Sequence, residues 1–245
     1  MHINLSGNIA LVTGSSGGIG RAVALRLARS GAKVALNYLN SKEAAEEAVA
    51  EIRSLGGEAY AFQADVTHVE QAEALVAEVE KAFGGPVTIL VNNAGHLVER
   101  LANAEMTEEL YNKVMDVNMK STVFVSKAVI PGMKAAGQGR IVNMTSVAAH
   151  NGGGPGASIY AASKAAVLSF TKGLAKELAA SGINVNAVSP GFIGQTAFHA
   201  TFTPDDARKA TIKGIPVGRE GTPDDVAGSV LFLVSELSSY ITGET

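Results

Sequence analysis

The sequence contains no cysteine among its 245 residues, which excludes disulfides, thiolate metal sites and a cysteine nucleophile. A cysteine-free chain suits a reducing compartment, and a cytoplasmic location is the expectation. Aromatic residues make up only 5% of the chain, and charged residues 18% with a formal net charge of −3. So small and mixed a charge offers no electrostatic footprint for nucleic acid or an anionic membrane. No apolar run approaches the roughly 18 residues needed to cross a bilayer. The opening MHINLSGNIALVTG lacks the basic-then-apolar pattern of a secretory signal. The five histidines, His2, His68, His96, His150 and His199, have no metal-ligand spacing, so no metal is expected.

What the chain does have is 27 glycines and 47% hydrophobic residues, enough for a buried core without staples. Short β-branched runs alternate with amphipathic stretches. Strands are predicted at Ile9–Thr13, Lys33–Asn37, Glu58–Gln63, Ile89–Asn92, Arg140–Thr145 and Asn184–Ser189. Helices are predicted at Gly18–Ser30, Lys42–Leu55, Val69–Phe83, Glu108–Lys134, Ser158–Ser181 and Pro223–Ser235. Strand-then-helix repetition predicts an α/β fold, a doubly wound parallel sheet of Rossmann type in a single domain, with ligands at the carboxyl ends of its strands. Residues 190–216 lack a strong strand pattern, carry a short helix signal at Pro204–Ile212, and read as a lid over a pocket. Asn151–Gly156 reads as an active-site loop.

Thr13 to Gly20 follow the first strand and open the first helix, with Gly14, Gly18 and Gly20 spaced to let a backbone approach a pyrophosphate. The alternative is a tight strand–helix connection. At the end of the second strand a carboxylate would bind a ribose 2′-hydroxyl. Here the chain reads Asn37-Tyr38-Leu39-Asn40-Ser41-Lys42, without an acid before Glu43. A hydroxyl and a cation, Ser41 and Lys42, favour a 2′-phosphate and hence NADP(H) over NAD(H). Lys42 could equally be a solvated residue in a first helical turn.

Tyr160 and Lys164 lie four residues apart in a helical stretch and share a face. An ammonium beside a phenol favours phenolate, which would make Tyr160 a usable acid or base for a carbonyl oxygen. Ser146 closes the fifth predicted strand, where its hydroxyl could bond a substrate oxygen or simply cap a helix.

These residues, with Asp65-Val66, Asn92-Asn93-Ala94-Gly95, Asn118 and Pro190-Gly191, stand in the order and spacing of short-chain dehydrogenases/reductases. The chain resembles that family along essentially its whole length, and within it the bacterial 3-oxoacyl-acyl-carrier-protein reductases. The resemblance implies that Tyr160 exchanges the proton, Lys164 holds the nicotinamide ribose, Ser146 orients the carbonyl, and Asn118 holds a water leading to Lys164. It implies further that Gly14, Ser16, Gly18, Ile19 and Gly20 cradle the phosphates. Asn37, Ser41 and Lys42 would face the adenosine 2′ position, and Asp65 and Val66 the adenine. Asn93, Ala94 and Gly95 would line the ribose side, with Pro190, Gly191 and Ile193 beside the nicotinamide. The implied activity is interconversion of a ketone and a secondary alcohol, as reduction of a 3-oxoacyl thioester or similar carbonyl. A sugar or polyol dehydrogenase is the alternative, and a non-catalytic dinucleotide sensor a lesser one. The implied partners are a small-molecule or acyl-thioester substrate and acyl carrier protein, and the implied assembly is a homotetramer pairing helices 108–134 and 158–181.

The chain departs from the family at four places. Gly17 replaces a frequent basic residue. Gln195 stands where a threonine is expected, with Thr196 one later. Pro131 stands where an arginine is often found, leaving Lys134 and Lys176 as nearby cations. The sequence stops at Thr245, where relatives continue through a last strand. His96 and His150 fall in loops near the expected pocket, either shaping substrate choice or merely filling loops, and Phe192 and Phe198 could wall the lid.

Overall fold

The computed structural model describes residues 3–196 and 205–245. Six strands, β1 (Ile9–Val12), β2 (Lys33–Tyr38), β3 (Ala59–Gln63), β4 (Ile89–Asn92), β5 (Gly139–Met144) and β6 (Ile183–Val188), form one parallel sheet ordered β3-β2-β1-β4-β5-β6. This is the doubly wound Rossmann-type order expected, and the direction of winding reverses between β1 and β4.

Alternation along each strand sends residues to two separate cores. Ala10 and Val12 join Val34, Leu36 and Val91 beneath α1 (Gly18–Arg29), α2 (Lys42–Ser54) and the helix Pro223–Val234. Ile9 and Leu11 join Ala35, Leu90 and Ile141 beneath α3 (Val69–Phe83), α5 (Ser121–Ala136) and α7 (Ser158–Leu178). Both faces being covered, the strands have to be apolar almost throughout: β1 and β4 are buried at every residue.

The helices begin where the sequence provides a start. Thr222 accepts the Asp225 amide and Asp225 returns the bond, behind Pro223 in the first turn, which caps the helix Pro223–Val234 reciprocally. The helix expected over 108–134 is interrupted. It runs as α4 (Glu108–Met115), a π-helical turn at Asp116–Lys120, then α5 to Ala136. A widened turn frees carbonyls, and here side chains take them. Asn118 Nδ2 donates to Val114 O at 2.8 Å, Ser121 Oγ to Val117 O at 2.7 Å, and Thr122 Oγ1 to Asn118 O at 2.8 Å.

A four-residue helix, α6 (Ala148–Asn151), which the sequence pattern did not disclose, lies between β5 and α7. The helix signal at 204–212 corresponds to a helix at Asp205–Lys213, while Phe198, His199 and Pro204 lie outside the described residues. Residues 243 and 244 run along the outer edge of β6, with Gly243 N donating to Val185 O and Ala187 N to Glu244 O, each at 2.8 Å. Among the described residues no helix is long and apolar enough to cross a membrane.

Candidate active site

Where β1 and β4 diverge, a cavity of about 430 Å3 opens at their carboxyl ends, lined by Gly14, Asn37, Asp65, Val66, Asn93 and Gly95 among others. Each of those six was singled out from the sequence, and this is the crevice a doubly wound sheet offers to a ligand.

The glycine turn is built from both sides. Gly14 and Gly18 have φ of +59° and +54°, the left-handed region that glycine enters at little cost. A β-carbon on Gly20 would fall 2.6 Å from both Gly14 O and Asn93 Nδ2, so the turn can close only because none is there. Buried Ser15 donates to Val12 O at 2.8 Å. Ser16 and Ile19 stand partly exposed at the start of α1, whose first amide groups have no partner within the helix and so suit an anion.

Asn37, buried at 2% exposure, closes β2 onto this turn. Its Oδ1 accepts from Gly14 N at 3.2 Å, and its Nδ2 donates to Ala64 O at 3.1 Å and to Phe62 O and Tyr38 O at 3.4 Å. The amide is therefore engaged with backbone on every side, and Asn37 shapes the cavity by pinning the turn. Ser41 and Lys42 lie exposed beyond it, Lys42 pairing with Glu46 at 3.7 Å.

The run Asn92-Asn93-Ala94-Gly95 divides the work residue by residue. Asn92 Nδ2 donates to Ser126 Oγ at 2.9 Å and Asn143 Oδ1 at 2.8 Å, tying α5 to β5 through β4. Asn93 Nδ2 donates to Thr13 O and Gly14 O, both at 2.9 Å, stitching β4 to the glycine turn. The Ala94 amide donates to Thr13 Oγ1 at 2.9 Å. A β-carbon at Gly95 would lie 2.7 Å from Asn118 Oδ1 and 2.8 Å from Lys164 Nζ, so its absence lets those two groups converge. Asp65 accepts from the Thr67 amide at 2.9 Å and the Thr67 hydroxyl at 2.6 Å, and stands 3.3 Å from His68 Nδ1. Burial works against its charge, but the Thr67 bonds and His68 hold the carboxyl below its ordinary pKa.

Ser146, Tyr160, Lys164 and Asn118 assemble from three segments. Tyr160 and Lys164 share one face of α7, with the ammonium 5.9 Å from the phenol ring centre. Tyr160 hydrogen-bonds Ser146, and Ser146 Oγ also accepts from Ala148 N at 3.1 Å, the first turn of α6 thus orienting it. Lys164 Nζ donates to Met144 O, the last residue of β5, at 2.8 Å. Asn118 is fully buried, its amide accepting from His96 N at 3.1 Å and donating to His96 O at 2.8 Å.

Burial dominates the electrostatics. It lowers the Lys164 pKa to about 8 and raises that of Tyr160, against which the Ser146 bond acts. The phenol is thus a neutral proton donor in this state, rather than the phenolate that a nearby ammonium would favour.

After β6, Val147 N donates to Pro190 O at 3.0 Å, and Ile193 pairs with Gly221. Gln195 occupies the left-handed region at φ +57°, and the Thr196 methyl lies 3.7 Å from where a β-carbon of Gly18 would be. The departure from the family therefore turns Gln195 through a bend and lays Thr196 over the glycine turn.

Sequence reasoning missed the Met144 carbonyl and the wall formed by Val98, Lys113 and Val117. A carbonyl carries no side-chain signal, and the wall residues come together only through the π turn.

The family profile described as enoyl-(acyl carrier protein) reductase matches residues 14–245. The chain is 42% identical over 236 residues to the 3-oxoacyl-[acyl-carrier-protein] reductase FabG of Staphylococcus epidermidis, covering 96% of this chain and 95% of that protein. Among solved structures, a putative short-chain alcohol dehydrogenase from Sinorhizobium meliloti superposes with a TM-score of 0.93 at 37% identity, covering 100% of this chain and 95% of that one. A putative NAD(P)-dependent gluconate 5-dehydrogenase from Beutenbergia cavernae, with bound NADP, has a TM-score of 0.92 at 38% identity, covering 100% and 96%. Fold, site and relatives agree, and the chain belongs to the short-chain dehydrogenase/reductase family of oxidoreductases.

Proposed function

We propose that this protein reduces a 3-oxoacyl thioester, or a similar ketone, to the secondary alcohol with NADPH. The observation carrying this reading is the convergence of Ser146, Tyr160, Lys164 and Asn118 beside the cavity, in a chain 42% identical to a 3-oxoacyl-[acyl-carrier-protein] reductase. The cavity fits a nicotinamide dinucleotide: Gly14, Ser16, Gly18, Ile19 and Gly20 would offer backbone to the pyrophosphate at the start of α1, and Asp65 and Val66, which line the cavity, would flank the adenine. Asn93, Ala94 and Gly95 would line the ribose side, and Pro190, Gly191 and Ile193 would stand near the nicotinamide, which would supply the hydride when bound. Exposed Ser41 and Lys42 after β2, with no carboxylate before Glu43, support a 2′-phosphate.

The residues then divide the proton chemistry. Tyr160 Oη, kept neutral by burial and bonded to Ser146, donates to the carbonyl oxygen as it gains negative charge. Ser146 Oγ holds that oxygen in line. Lys164 Nζ, already beside Met144 O, would hold the ribose hydroxyls and receive a proton relayed from the Asn118 side. In the oxidative direction each proton moves the other way.

A sugar or polyol dehydrogenase is the second reading. It is favoured by the 38% identity to a putative gluconate 5-dehydrogenase. Fluorescence titration with NADPH and NADH, followed by acetoacetyl thioester and absorbance at the nicotinamide band, separates them. Tighter NADPH binding with thioester-dependent oxidation is expected. Binding without thioester turnover, together with oxidation of gluconate or a polyol, would transfer the assignment to the second reading.

A further inference from the structure

The segment from Gly95 to Leu101 leaves β4 and crosses the front of the site as a strap, fixed at both ends. At one end the Asn118 amide brackets the His96 backbone from both sides, and Leu97 is buried at 1% exposure. At the other, Arg100 Nη1 donates to Pro155 O at 3.0 Å and Leu101 N to Gly156 O at 3.1 Å, in the loop that leads into α7. Between the two ends Val98 has φ of +68°, a conformation β-branched residues avoid because the side chain crowds the backbone. The Val98 amide donates to His96 Nδ1 at 2.8 Å. His96 and Val98 both line the nucleotide cavity.

We propose that His96 is a positioning residue whose uncharged ring, through Nδ1, holds Val98 in its left-handed turn and so sets the strap between Asn118 and the 152–157 loop. An imidazolium has donors at both nitrogens, so protonation would set N–H against N–H and release the turn. Burial holds the His96 pKa below the ordinary histidine value, which keeps the ring an acceptor at neutral pH. The charged groups around it are for the most part engaged elsewhere. Asp65, from the end of β3, is bound by Thr67 and His68, and Asp116, from the π turn, pairs with Lys120 at 3.5 Å. Lys113 of α4 pairs with Glu109 at 2.6 Å, Lys164 of α7 bonds Met144 O, and Arg100 on the strap bonds Pro155 O, with Glu99 beside it. The sign follows: the turn is complete above the folded-state pKa of His96 and is lost as pH falls through it.

The test uses the full chain, labelled with 15N and free of cofactor, with the Val98 amide followed from about pH 8 to about pH 5, across the imidazole range. In wild type, exchange protection of that amide should disappear as His96 titrates. His96→Asn places a side-chain oxygen in reach of the amide two residues on, as in an Asx-turn, and should keep protection at every pH. His96→Leu should lose protection at every pH and weaken NADPH binding about fivefold, the worth of one neutral hydrogen bond. Val98→Gly added to His96→Leu should restore most of that affinity, because glycine holds the turn unaided. A purely structural role would lower the melting temperature of the Asn and Leu variants alike and leave the pH profiles of both parallel to that of wild type. Parallel profiles, or a Val98 amide as protected in His96→Leu as in wild type, would overturn the proposal. The inference rests on the dinucleotide reading only for its affinity arm. Loss of Val98 protection without NADPH binding by wild type would uphold the turn and reject the cofactor.

Discussion

Replacing Gly95 with alanine should damage the chemistry far more than the fold. The added β-carbon would stand 2.7 Å from Asn118 Oδ1 and 2.8 Å from Lys164 Nζ, where ordinary contact begins near 3.4 Å. Both groups must therefore retreat by about 0.6–0.7 Å, since repulsion rises steeply inside that distance. Neither retreats freely. Asn118 is bonded to both backbone groups of His96 and to Val114 O, and Lys164 to Met144 O. Overpacking of this kind costs about 1–3 kcal/mol. For a chain of this length that is a melting-temperature loss of roughly 2–12 °C, at about 2–4 °C per kcal/mol. Misplacement approaching 1 Å at a reacting centre costs up to about 100-fold in rate. The expected result is a kcat reduced about 10- to 100-fold in a protein with a wild-type circular dichroism spectrum and a modestly lower melting temperature. Steady-state oxidation of NADPH with acetoacetyl thioester measures the first quantity, and thermal melts the second. A Gly95→Ala protein with kcat within about twofold of wild type would show that Asn118 and Lys164 need not converge, and would refute the argument.

Asn37→Asp should not convert the protein to NAD(H). Asn37 Nδ2 faces the carbonyls of Tyr38, Phe62 and Ala64, so a carboxylate there sets acceptor against acceptor at 2% exposure; the expected cost is about 3 kcal/mol or more in urea unfolding, and a stable variant preferring NADH would contradict it. Lys164, lowered by burial to about 8, carries more protons unfolded than folded between there and its ordinary 10.5, so its contribution makes stability rise with pH across that window. The rise should amount to about 3 kcal/mol, at 1.36 kcal/mol per unit, and should be missing from Lys164→Met; equal slopes in the two proteins would refute it. Gly20→Ala should open the glycine turn, because its β-carbon would meet Gly14 O and Asn93 Nδ2 at 2.6 Å, and NADPH affinity measured by fluorescence should fall at least tenfold.

Much of the fold was legible along the chain for identifiable reasons. Strands buried on both faces read as uninterrupted apolar runs, as in Ile9–Val12 and Ile89–Asn92, and the predicted positions of all six strands were within about two residues of the observed ends. The long helix over 108–134 was legible only in part. Its apolar spacing continues through the π turn, and the break depends on side chains of Asn118, Ser121 and Thr122 capturing carbonyls, which spacing does not encode. Asn37 stands out in the sequence as a cofactor-facing residue at a strand end, and it lines the cavity. The three-dimensional chain gives its amide to Gly14, Phe62 and Ala64, residues remote in sequence that no local pattern connects to it.

The sequence by itself determined the class of fold and the glycine turn, and singled out Ser146, Tyr160 and Lys164 as candidates, with Asn118 added by the family resemblance, because apolar runs, helical spacing and residue chemistry are local properties. Only the tertiary structure decided how those groups stand to one another. It brought Gly95 against Asn118 and Lys164, and gave Lys164 the Met144 carbonyl. It also buried Tyr160 deeply enough to hold its proton and turned Val98 back onto His96. Distances and desolvation arise between segments far apart in the chain, and so become defined only when the sheet closes and the helices pack upon it.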